Sequence, residues 1–200
     1  LGGKLFLEYE VKKILQSDVN INGIEFSNSE RIEVSQDDII ISSLPITLTS
    51  KLLGYDSDLT FRGIRSVYLA YNVKEILPKD IHWLYYGAKH IDFNRITEPK
   101  KLTPFVAPEG KTYLTAEITF SQHDEIDKIS SKDLINRVAE QVEKVGLVEK
   151  KKMYNASTNK ENFVYPLLYR NYQQELAKTR ASISKFQQLY SIGTGGDYNY

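Results

Sequence analysis

The sequence predicts an α+β protein: a mixed, largely antiparallel sheet with flanking helices. Two patterns carry this prediction. Short β-prone stretches alternate apolar and polar side chains in period 2, most cleanly over residues 112–120. Two longer segments repeat apolar residues every three or four positions, the period of a helix with one buried face. Hydrophobic residues make up 41% and charged residues 26% of 200, so a substantial core is affordable in one domain or in a domain plus a small lobe.

Taken in order, residues 4–9 place Leu5, Leu7 and Tyr9 on one side and predict a strand. Residues 11–15 follow as another. Residues 19–26 carry Asn22-Gly23, a dipeptide that favours tight hairpin turns because both residues tolerate positive φ. Residues 31–35 form a further short strand. Residues 38–43 hold Ile39-Ile40-Ile41 without alternation, as in a strand covered on both faces. Pro45 suits the first turn of a helix running to about Leu53, where its missing N–H costs nothing.

The middle of the chain predicts strands over residues 61–72, 82–86, 93–97 and 112–120. In the last, Leu114, Ala116, Ile118 and Phe120 share one face, and Tyr113, Thr115, Glu117 and Thr119 the other. Residues 100–111 contain two prolines and a glycine and are a loop. Ser130 is a good helix N-cap, with Asp133 three residues on. Leu134, Ile135, Val138, Ala139, Val142 and Val145 form the buried stripe of that helix, and Gly146 ends it. A second helix follows Pro166, with Tyr169, Tyr172, Leu176, Thr179, Ile183 and Phe186 at helical spacing. Residues 188–192 form a short strand feeding Gly193. No repeat or low-complexity segment is present.

Lys+Arg and Asp+Glu number 26 each, so the net charge is zero. This removes any bulk electrostatic case for nucleic acid or an anionic membrane. The runs Lys100-Lys101 and Lys150-Lys151-Lys152 read as solvated surface. With no cysteine there are no disulfides and no thiolate chemistry, which fits a reducing, cytoplasmic setting. No apolar stretch reaches the roughly 18 residues of a membrane span. Leu1-Gly2-Gly3-Lys4 has no signal-peptide design and reads as the middle of a longer protein.

Few residues point to chemistry. The closing segment SIGTGGDYNY places Gly193, Gly195 and Gly196 after a strand, and such turns let backbone approach a phosphate. The spacing is not G-x-G-x-x-G, no helix is expected after it, and an ordinary structural turn explains it as well. His82, His90 and His123 lack ligand partners at metal spacing, so no metal site is expected. No G-x-S-x-G elbow exists, and Asp37-Asp38 sits in a turn. Trp83, Tyr85 and Tyr86 on one strand, with Tyr68 and Tyr71 on another, suit either a ligand cavity or a core. Arg95, in FNRITEP, is either an anion clamp, through its bidentate fork, or an ion-paired surface residue.

In order along the chain, several segments resemble one superfamily. LGGKLFLEYEVKKI and DIIISSLPITLTSKLLG resemble parts of the flavin domain of amine-oxidase-type proteins. LTFRGIRSVYLAYN, DIHWLYY, FNRITEPKKLTP and TYLTAEITF resemble the substrate domain of protoporphyrinogen-oxidase-like proteins. VYPLLYRNYQQELAKTRASISKFQQLYSIG resembles the return helix and last strand before the final flavin-contacting turn.

The resemblance implies an FAD-dependent oxidoreductase of two domains, with this chain holding the substrate-binding part. Residues 1–44 would be flavin-domain strands, 45–187 the substrate-binding domain, and 188–200 the last flavin-domain strand and its turn. These ends would be remnants of a Rossmann-type FAD domain. Val11, Gly193, Gly195, Gly196 and Tyr198 would contact FAD. Trp83, Tyr85, Arg95 and Tyr165 would line the site of a small-molecule substrate, and no catalytic base is implied. The missing N-terminal region of the same protein would supply the pyrophosphate turn, so these residues alone would not retain FAD.

UDP-galactopyranose mutases, of surface polysaccharide (LPS) biosynthesis, are also similar. Their Y-T-R-I-x-E matches FNRITEP, and would put Arg95 on the diphosphate of a nucleotide sugar. Their Y-Y-P-I would put Tyr165 near it. Their terminal G-R-L-G-x-Y-x-Y carries an arginine where Thr194 stands, which weakens that match. A non-catalytic β-rich binding module is the third reading.

Overall fold

The computed structural model describes residues 2–199; Leu1 and Tyr200, the outermost residues of the two end segments, lie outside the described part. Two units result, dividing at Phe61/Arg62 and at Val164/Tyr165.

In the first unit, residues 4–9 form no strand. Glu8 takes φ 64, which breaks extended backbone, and Leu5 and Leu7 are exposed. The first strand is β1 (Val11–Ser17), antiparallel to β2 (Asn20–Phe26), which in turn pairs with β3 (Arg31–Glu33). The hairpin turns at Asp18-Val19, with Asp18 at φ 54, and not at Asn22-Gly23. That register buries Ile14 and Ile21. Gly23 instead serves close strand approach: a Cβ there would stand 3.0 Å from the Ile32 carbonyl oxygen. The next elements are β4 (Ile40–Ser42) and α1 (Ile46–Leu52), with Pro45 at the helix's N-cap, one position before the first turn expected for it.

The second unit is built on a five-stranded sheet. Its strands are β5 (Phe61–Tyr71), β6 (Trp83–Tyr85), β7 (Arg95–Thr97), β8 (Thr112–Phe120) and β9 (Met153–Pro166), in spatial order β6-β7-β8-β5-β9. Between β8 and β9 lie α2 (Glu125–Lys128) and α3 (Ser131–Lys144). The β5–β8 register runs from Gly63 opposite Phe120 to Tyr71 opposite Thr112. It aligns Val67 and Leu69 with Ala116 and Leu114 on one face. Leu134, Val138, Ala139 and Val142 of α3 share that core. Each fully buried Val or Leu contributes about 1.5–3 kcal/mol.

The cap of α3 is as predicted: Ser130 Oγ accepts from the Asp133 N–H at 3.1 Å. Gly146 ends the helix at φ 80. Ile135 and Val145 are only partly buried, so the stripe is narrower than the periodicity implied. Arg65 lies buried in the apolar row of β5, and its Nη1 donates to the Ile126 and Ile129 carbonyls. That ties the α2–α3 connection to the sheet. The sequence carries no strand pattern over β9. This strand is a largely exposed sheet edge, so its polar sequence carries no burial pattern.

The lysine runs are less free than expected. Lys100 Nζ donates to the Pro108 and Lys111 carbonyls at 3.1 and 2.5 Å, bracing the loop after β7. Lys101 is mostly covered and pairs with Glu75, while Lys150 pairs with Glu140.

The chain then returns to the first unit through α4 (Tyr172–Ile183), β10 (Leu189–Ser191) and α5 (Gly193–Asp197). Strand β10 runs parallel to β4. Among the described residues this sheet has two strands, and Ile41 is 65% exposed, so the expected cover on both faces is not found here. The core of this unit joins Ile14, Ile21, Ile46, Phe61, Phe186 and Tyr198. Gln188 stitches it: its Oε1 accepts from the Ile21 N–H and its Nε2 donates to the Ser35 carbonyl.

Candidate functional site

The sheet of the second unit has two faces of different character. One packs on α3. On the other, the registers set residues into rows that cross four strands. Tyr85 lies opposite Arg95, Arg95 opposite Glu117, and Glu117 opposite Ser66. The next row is Trp83, Thr97, Thr115 and Tyr68. A third pairs Tyr113 with Ala70. Paired residues point to the same side of a sheet, so these residues form one surface. Trp83 and Tyr85 remain 49% and 69% exposed. Large aromatics on an open face, rimmed by hydroxyls, are the composition of a ligand surface.

Its centre is an ion pair. Arg95 Nε and Nη2 donate to the two oxygens of Glu117 at 2.5 and 2.8 Å, a bidentate fork. The Glu117 side chain is 23% exposed and that of Arg95 36%. The hydrogen bonds from Arg95 to Glu117 and its contact with Tyr85 raise the guanidinium's pKa, so it stays charged. The Arg95 guanidinium carbon lies 6.0 Å from the Tyr85 ring centroid. Arg95 therefore enters this surface as half of a neutral pair.

The third row ends in a shallow cleft of about 120 Å³, lined by Tyr68, Tyr113, Val106, Pro108 and Tyr154 among others. Burial raises the Tyr113 hydroxyl's pKa, with Tyr68 adding to it, so it is a neutral donor at physiological pH.

In the first unit, the glycine segment is itself a short helix, α5, where sequence reading expected a turn without one. Gly193 takes φ 80, with no atom within 4 Å of a Cβ built on it. Gly196 is packed: a Cβ would meet Ser191 Oγ at 2.8 Å. A cleft of about 370 Å³ runs beside it, lined by Ile46, Arg180, Tyr190, Ile192 and Gly196 among others. Tyr198 is buried, and its hydroxyl donates to the Thr60 and Leu167 carbonyls at 2.6 and 3.0 Å. Its ring thus anchors the turn from inside. Val11 packs on the same core from β1.

The structure brings Trp83, Tyr85 and Arg95 onto one surface, and Val11 and Tyr198 into one core. Tyr165, half-buried at the end of β9, falls in the first unit. Sequence reasoning missed Glu117 as the partner of Arg95, although the alternation of β8 already put it on the outward face. It also missed Glu98, directly after β7, whose buried carboxylate accepts from Ile76, Leu77 and Thr112. Those bonds fix the segment leading to β6 and so position Trp83. Among the described residues no group of three or more His, Asp or Glu could hold a metal ion. No helix among them is long and apolar enough to cross a membrane.

Solved structures share this fold. Reduced UDP-galactopyranose mutase matches 96% of the chain at a TM-score of 0.79 and 17% identity. A putative protoporphyrinogen oxidase from Exiguobacterium sp. 255-15 matches 92% at 0.69 and 15% identity. An oxidoreductase from Methanosarcina mazei matches 93% at 0.60 and 17% identity. At 15–17% identity, this likeness shows a shared fold. The chain spans 42%, 41% and 43% of those three proteins, less than half of each. No family model and no curated protein sequence matches it.

Proposed function

We propose that the chain is the substrate-binding part of an FAD-dependent oxidoreductase, whose pyrophosphate-binding region lies outside these 200 residues. The observation that carries this reading is the open sheet face, where Trp83, Tyr85, Tyr68 and Tyr113 surround a neutralised ion pair in a fold shared with oxidoreductases. Substrate would lie on this face, held by the aromatic rings, with Arg95 and Glu117 as fixed polar contacts.

The glycine segment suits a large flat cofactor. Open space over Gly193 admits close backbone approach, and the adjoining cleft is apolar along Ile46 and Ile192. Gly193, Gly195, Gly196 and the backbone of Val11 would hold the flavin, with Tyr198 supporting the turn from the core. FAD, when bound, supplies the capacity to accept a hydride; the chain supplies position and electrostatics.

The longer protein containing this chain is expected to purify yellow, with flavin absorbance released on denaturation. A colourless preparation would overturn the reading. The 200-residue chain alone is expected to bind no flavin stoichiometrically.

The TM-score of 0.79 favours a second reading, a mutase acting on a nucleotide sugar. It requires UDP-sugars to raise the melting temperature, and Arg95→Ala to abolish that effect. A cytoplasmic location fits either enzyme. A non-catalytic binding module is the remaining reading, and the flavin measurement separates it from both.

A further inference from the structure

We infer that Glu117 sets the ligand class of the sheet face: it neutralises Arg95 and makes the surface select uncharged planar compounds over anions. The inference rests on reading this face as the substrate side.

Across the register rows from Ile64–Thr119 to Ala70–Tyr113 and their extensions into β7 and β6, the formally charged residues facing outward are Arg95 and Glu117. They are bound to each other through both donor positions that match a carboxylate fork. Apart from Ile64 and Ala70, the rest of these rows is aromatic or hydroxylic, with Trp83, Tyr85, Tyr68 and Tyr113 beside threonine and serine hydroxyls.

An incoming carboxylate or phosphate aimed at Arg95 would meet Glu117 within hydrogen-bond distance of the same guanidinium. Like charges that close cost several kcal/mol in a half-buried setting. Releasing the fork instead would leave Glu117 half-buried without its partner, which is itself costly. An uncharged ring escapes both costs. It can stack on Trp83 or Tyr85 and take hydrogen bonds from the threonines and tyrosines.

Glu117 is therefore a specificity residue, and removing its charge should convert Arg95 into an anion site. Trp83 is the sole tryptophan of the sequence, so tryptophan fluorescence, excited selectively, reports on this face. The experiment titrates the protein with two quenchers that share a ring: 4-nitrobenzyl alcohol, uncharged, and 4-nitrobenzoate, its anionic counterpart. Wild type is expected to show saturable quenching by the alcohol and binding of the benzoate weaker by about tenfold or more. Glu117→Gln should abolish or reverse that preference, and should add saturable binding of inorganic pyrophosphate. Glu117→Asp, which keeps the charge, should retain the wild-type preference; circular dichroism checks that both variants fold.

Equal affinity for both quenchers in wild type would overturn the inference. So would an unchanged preference in folded Glu117→Gln, or quenching that does not saturate for either compound. Flavin content, measured separately on the longer protein, tests the oxidoreductase reading and is independent of this discrimination.

Discussion

The buried carboxylate of Glu98 accepts from Thr112 Oγ1 at 2.7 Å, on the strand that forms the middle of the five-stranded sheet. The same carboxylate accepts from the N–H groups of Ile76 and Leu77 at 3.1 and 2.7 Å. One side chain thus ties the loop before β6 to β8. Replacing it by glutamine turns an NH₂ group against at least one of those donors. Glu98→Gln should lower stability by about 2–3 kcal/mol, since buried charge-assisted bonds are lost and donors stranded. Denaturant unfolding measures this, and Trp83 fluorescence should also shift because β6 loses its anchor.

Gly63 has no room for a side chain. A Cβ there would lie 2.2 Å from Phe120 Cζ and 2.6 Å from the Glu161 carbonyl oxygen. The ring can turn aside, but the backbone of β9 cannot. Gly63→Ala should cost about 1–3 kcal/mol and loosen β9 from β5. Hydrogen exchange along β9 would register the second effect; unchanged protection there would contradict it.

Tyr71 offers a stabilising change. Its hydroxyl is buried and has no hydrogen-bond partner among the described residues. Burial, aided by Glu143, pushes its pKa up to about 12. A phenol with a raised folded-state pKa supports the fold fully below its ordinary value near 10, and that support is lost as pH rises toward about 12. Tyr71→Phe should stabilise by about 1 kcal/mol at neutral pH by removing an unsatisfied group. It should also flatten the loss of stability over the same alkaline range. Thermal melts across pH compare the two proteins directly.

Tyr198→Phe tests the anchor beneath the glycine helix. The Thr60 and Leu167 carbonyls keep other donors, from Leu167 and Tyr169, so neither is stranded. The Thr60 N–H, which donates to the hydroxyl at 3.3 Å, loses its acceptor, so the expected cost is about 1–2 kcal/mol. On the proposed reading, a longer protein containing this chain should hold flavin less tightly in the variant.

Much of this was legible along the chain. Alternation placed the buried and outward faces of β8 correctly, because strand side chains alternate whatever their neighbours are. The cap at Ser130 and the end at Gly146 are local chemistry and were legible for the same reason. The collinear resemblance pointed to the fold; of the four substrate residues it implied, Trp83, Tyr85 and Arg95 share a surface and Tyr165 falls in the first unit. Tertiary structure decided the rest. Residues 4–9 alternate like a strand, yet Glu8 at positive φ and the lack of a pairing edge leave them irregular. Strand β9 is polar and exists through pairing with β5, which no local pattern encodes. The partnership of Arg95 with Glu117 spans 22 residues and depends on the β7–β8 register. Local sequence determines which way a side chain faces; only the packing of distant strands determines what it meets.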